Sequence, residues 1–83
     1  MGLLESEEIA LAQSLVEANS LKGKDKKAAQ ELAYKTAAEN INAIANGGDY
    51  GLNRNYYNTA LQRINSLYNN KDNVNALSSW LIS

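Results

Sequence analysis

Asn46-Gly47-Gly48-Asp49-Tyr50-Gly51-Leu52-Asn53-Arg54-Asn55-Tyr56-Tyr57 divides this chain into two helical halves of different chemistry. Three of the five glycines and three of the five tyrosines fall inside it. Paired glycines stop a helix because they take a left-handed backbone without a Cβ penalty. Asn53 or Asn55 can start the next one, accepting a hydrogen bond from an otherwise orphaned backbone N–H. Hydrophobic spacing on both sides is helical, and no strand-type alternation of useful length occurs. The fold class that follows is all-α. One domain, residues 1–83, should form a small bundle of three main helices, at 4–21, 25–46 and 54–69, with a short C-terminal helix at 73–82.

Upstream of the break, Leu4, Ile9, Leu11, Ala12, Leu15, Val16 and Ala18 fall within one arc at 100° per residue. Glu5, Glu7 and Glu8 at the start suit the helix dipole, reading as surface acids, and Gly23 is placed to end the helix. Asp25 is then the expected N-cap of the second helix. Lys27, Glu31, Lys35 and Glu39 follow at four-residue steps on its exposed side. Its other side offers Ala29, Ala33, Tyr34, Ala37, Ile41, Ile44 and Ala45, small enough for a neighbouring helix to approach closely. The Lys22–Lys27 run reads as a solvated turn.

Downstream, Tyr57, Ala60, Leu61, Ile64, Leu67 and Tyr68 keep the i, i+3, i+4, i+7 pattern. Asn69-Asn70-Lys71 is a turn, and Asp72 or Asn73 can cap a final helix carrying Val74, Leu77, Trp80 and Leu81. No Pro or Gly enforces that break, so one kinked helix is the alternative. Trp80 is expected to close the core, the alternative being an apolar tail that docks on a partner.

Composition removes several function classes. Eighty-three residues support one modest core, worth about 3–5 kcal/mol net at this size. The chain has no Cys and no His, which removes disulfides, thiolate metal sites and the commonest acid–base residue near neutral pH. No apolar run spans a membrane, and the acidic start is not a secretory signal. Met1-Gly2 with Ser6 meets the short myristoylation pattern, which chance often satisfies. The expected compartment is the cytoplasm. Net charge is −1, not the footprint of a general nucleic-acid binder. Asparagine is skewed, with only Asn19 before position 40.

Catalytic chemistry finds little to work with. Ser14, Ser20, Ser66, Ser78, Ser79 and Ser83 lack a histidine base, and no carboxylate pair stands out. Asp49, Gly51, Asn53 and Asn55 alternate as calcium ligands can, but Tyr50 and Arg54 interrupt them and no closing Glu follows. Phosphate-loop motifs are absent. No cofactor or metal is expected, and the chain reads as a non-enzyme. What the central stretch does offer is recognition: Tyr50, Tyr56 and Tyr57 supply rigid amphipathic surface, and Arg54 a forked donor. These four are the candidate partner-binding residues. The alternative is that Tyr56 or Tyr57 only fastens the third helix to the core.

Tyr50-Gly51, Tyr56-Tyr57 and Val74-x-Ala76-Leu77 resemble the albumin-binding three-helix modules of Gram-positive surface proteins. Here the spacing from the tyrosine pair to Val74 is about a helical turn longer and a further helix precedes. The match covers under half of the chain, and nothing of that family's activity is carried over.

The functional expectation is a non-catalytic protein–protein interaction module, an adaptor or inhibitor of bacterial or viral type, whose partner is another protein. One alternative is nucleic-acid or small-ligand binding through the 46–57 loop with Arg63 and the Lys22–Lys27 turn. Another is a self-assembling structural subunit, a homo-oligomer.

Overall fold

A computed structural model describes residues 3–46 and 54–82, with side chains over 5–44 and 57–81. It contains four helices: α1, Leu3–Ala18; α2, Gly23–Asn46; α3, Arg54–Asn69; and α4, Val74–Ile82. Among the described residues there is no strand. The small all-α bundle is as expected, and α3 and α4 are separate helices. Among the described residues no helix is long and apolar enough to cross a membrane.

The core is built from the stripes that the periodicity picks out. Leu11, Ala12 and Leu15 of α1 meet Ala37 and Ile41 of α2, Ala60, Ile64 and Leu67 of α3, and Leu77 of α4. Tyr34, Tyr57, Tyr68, Trp80 and Leu81 pack around this centre, half-buried. Trp80 therefore helps to close the core. Helix α1 is the hub, touching all three other helices, while α2 also packs on α3. Glu7 meets Asn40 near one end of the α1–α2 pair, and Leu21 and Ala29 share a groove at the other; the two helices are antiparallel.

Boundaries differ from expectation at the first turn. Helix α1 stops at Ala18, three residues early, because the backbone tightens: Ser20 and Leu21 donate to the carbonyls three residues back, at 3.1 and 3.0 Å. Asn19 donates through Nδ2 to Leu15 O at 2.9 Å, and Ser20 Oγ to Glu17 O at 2.7 Å. These side chains satisfy carbonyls that a continuing helix would have used. Gly23 does adopt the left-handed backbone, with φ of 59°, but it opens α2 instead of ending α1. Asp25 consequently lies inside the first turn of α2, where its charge suits the dipole, and is not the N-cap.

The last turn is specified locally. Asn70 donates from its backbone to Ser66 O and Leu67 O, and from Nδ2 to Ser66 O at 2.9 Å. Asn73 then caps α4, its Oδ1 accepting from the Ala76 N–H at 3.1 Å. Of the two capping candidates, Asn73 is the one used.

Candidate functional site

Tyr50 lies outside the described residues. Arg54 and Tyr56 are placed only as backbone in the first turn of α3. Tyr57 is half-buried against the core and donates from its hydroxyl to Asn42 Oδ1 of α2 at 3.1 Å. The structure thus shows Tyr57 fastening α3 to α2.

Two polar clusters hold the bundle in register. In the first, the Lys71 carbonyl, in the α3–α4 turn, accepts from Asn19 Nδ2 at 2.7 Å and from Gln30 Nε2 at 3.3 Å. Gln30, 3 % exposed, also donates to Asp72 Oδ1 at 2.9 Å. Lys26 Nζ lies 3.0 Å from the same oxygen. The hydrogen bond from Gln30, then the one from Lys26, lowers the Asp72 carboxyl below its ordinary pKa. Lys71 Nζ in turn sits 4.8 Å over the Tyr68 ring, which is tilted against Tyr34 at 4.7 Å between centroids. The Tyr34 hydroxyl donates to Asn65 Oδ1.

The second cluster centres on Glu8, which is 2 % exposed and is a core residue of α1, not the surface acid expected. Burial pushes its carboxyl above the ordinary carboxylate value; Arg63 opposes the shift and Glu5 adds to it. Arg63 Nε stands 2.6 Å from Glu8 Oε1, yet that oxygen accepts no aligned hydrogen bond. The contact is one of charge proximity. Among the described residues no group of three or more acidic side chains gathers as a metal site.

A concave surface lies elsewhere, on the open side of the α1–α2 pair. A groove of about 640 Å³ runs between the helices. Small residues pave it: Ala10 and Ser14 from α1, Ala29, Ala33 and Thr36 from α2. Leu21 and Leu32 stand on it at 43 % and 65 % exposure, and Glu7 and Glu17 are the charged residues among its described lining. Ala33 packs against the core, as expected of the alanine face, and both it and Ala29, each half-buried, also line this channel. Sequence reasoning missed the groove, although Leu32 signalled it: an apolar residue beside the Glu31–Lys35 row of the exposed side.

Comparison with protein-family models, with curated proteins and with solved structures gives no match to this chain.

Proposed function

We propose that this chain is a non-catalytic protein–protein interaction module of adaptor or inhibitor type. Its docking surface is the α1–α2 groove. The observation that carries this reading is Leu32, a large apolar side chain 65 % exposed beside a channel floored by alanines. Exposed apolar surface organised around a concavity marks contact sites on small proteins. The Tyr50, Arg54, Tyr56 and Tyr57 surface belongs to the same proposal as a second contact area. Two cations that nucleic-acid binding would draw on are engaged within the fold, Lys26 with Asp72 and Arg63 with Glu8.

Affinity capture from the native source tests the reading, with three baits compared by mass spectrometry. These are the unaltered chain, Leu32→Ser, and the combined Tyr50→Ala, Arg54→Ala, Tyr56→Ala variant. A prey retained by the unaltered chain and lost with Leu32→Ser places the contact at the groove. Loss only with the triple variant moves it to the aromatic–arginine surface. If no prey depended on either surface, the reading would fall.

A further inference from the structure

One end of the bundle gathers most of the chain's lysines. It is the end where α1 and α3 finish and α2 and α4 begin, and the shared Lys71 carbonyl joins its two turns. Five of the six lysines lie there: Lys22, Lys24, Lys26 and Lys27 around the first turn, Lys71 in the second. Side chains early in a helix lean toward its N-terminus, so Lys24 and Lys27 lean toward this end of α2. Lys26 and Asp72 cancel as an ion pair. Lys22, Lys24 and Lys27 are exposed, and no salt bridge among the described residues holds them. The nearby acids are Glu17, Asp25 and Asp72, with Glu31 one turn behind Lys27. Five lysines against those three carboxylates leave this end at +2, and the rest of a chain of net charge −1 at −3. Two exposed aliphatic side chains stand at the same end, Leu21 at 43 % and Val74 at 40 %. This end is distinct from the α1–α2 groove, which shares Leu21 and Glu17 with it.

We infer that this lysine-rich end docks on an anionic bilayer surface. The lysines are drawn to acidic headgroups, each contributing about fivefold to binding near the surface. Leu21 and Val74, set among them, enter the boundary between headgroups and acyl chains. A polynucleotide fits this end less well. All five cations are lysines, point charges without the planar fork that arginine offers to phosphates and bases. Aliphatic tips give no flat face for a base to stack on, and the Tyr68 ring lies under Lys71. Asp25 and Asp72 would also meet closely spaced phosphates, whereas a diffuse headgroup potential tolerates them.

Co-sedimentation with vesicles tests this, using phosphatidylcholine alone and phosphatidylcholine mixed with phosphatidylserine at low salt. The chain should pellet with the mixed vesicles, stay in solution with phosphatidylcholine alone, and be released as salt is added. Replacing Lys22, Lys24 and Lys27 together by Gln should weaken binding about a hundredfold. Leu21→Ser with Val74→Ser should weaken it about tenfold or more, through the apolar area left in water. All five positions are exposed, and circular dichroism checks that both variants stay folded. At the salt where vesicles hold the chain, a labelled single-stranded oligonucleotide and a labelled polyglutamate peptide should remain free. Capture of either would reassign this end to that polyanion and overturn the lipid assignment. Equal pelleting with both vesicle types, or with neither, would overturn it as well. Undiminished binding by the triple Gln variant would show that another face meets the bilayer, against this inference.

Discussion

The side-chain amide of Asn19, just past the end of α1, donates 2.7 Å to the carbonyl oxygen of Lys71 in the turn between α3 and α4. The two residues are 52 positions apart. The bond ties the exit of the first helix to the point where the chain folds back into the last, and Gln30 of α2 reaches the same oxygen. Three helical segments are therefore registered on one carbonyl group.

Asn19→Ala removes the shorter of the two bonds and also the side-chain bond to Leu15 O, which keeps the backbone N–H of residue 19 at 3.2 Å. With Gln30 still present, the expected cost is about 1–2 kcal/mol. For a domain of this size that lowers Tm by about 4–8 °C per kcal/mol. Thermal unfolding followed by circular dichroism measures it; a Tm unchanged within error would show that the amide does not register the turn.

Gln30→Ala should interact with Asn19→Ala, because each donor covers for loss of the other at Lys71 O. The double variant is expected to cost more than the sum of the singles by about 0.5 kcal/mol or more. A double-mutant cycle in urea decides this. Strict additivity would mean that the two amides act on separate parts of the structure.

Much of the bundle was legible in the sequence because hydrophobic spacing is a local property. Ala60, Ile64 and Leu67 are buried as their i, i+4, i+7 spacing requires, and Asn73 caps as an amide before an apolar run should. Long-range pairing was not legible. Helix α1 ends at Ala18 partly because Asn19 has a partner far along the chain, which no local pattern announces. Glu8 lies on the same i, i+4, i+7 stripe as Ala12 and Leu15, and Gln30 on the stripe of Ala37 and Ile41. Both positions were readable as buried, but their polarity argued for surface until Arg63 and the Lys71–Asp72 turn were seen opposite them. The groove was hidden for the converse reason. An alanine face suits a covered interface and an open channel equally well, and only the placement of α3 and α4 on the other side of the pair decides between them.

Ile64→Ala tests how much of the stability rests on one core side chain. Ile64 is fully buried where α3 enters the centre, and such truncations cost about 2–5 kcal/mol. Against a net stability of about 3–5 kcal/mol, the variant should lose much of its helical signal at 25 °C. A cooperative transition with Tm within a few degrees of the unaltered chain would contradict the central role given to this residue.

Tyr57→Phe and Tyr57→Ala separate fastening from binding. The ring packs on the core while the hydroxyl meets Asn42 near the surface. Phe keeps the ring and should cost about 1 kcal/mol or less, whereas Ala should cost about 3 kcal/mol or more through the lost packing. Chemical denaturation of both gives the split, and a Tyr57→Ala variant as stable as Tyr57→Phe would remove the ring from the core account.

Glu8 gives the fold a pH dependence opposite to that of a salt-bridged surface acid. Burial raises its carboxyl above the ordinary value near 4.5 in the folded state, Arg63 offsetting only part of the shift. Between those two pKa values the folded chain binds a proton that the unfolded chain has lost. Stability contributed by this group therefore falls as pH rises through that window and recovers as pH drops toward 4.5. Asp72 works the other way: its pKa is lowered, so its contribution is present above its ordinary value near 3.8 and is lost as pH falls below that. Glu8→Gln removes the first effect and keeps the side chain's shape, though it leaves Arg63, half-exposed, to water. The variant should match or exceed the unaltered chain at neutral pH and show a flatter profile from there down to about 4.5. Urea midpoints across this range measure it. An unaltered chain that lost stability steadily from neutrality to pH 4.5, with Glu8→Gln following in parallel, would show that Glu8 stays charged in the core.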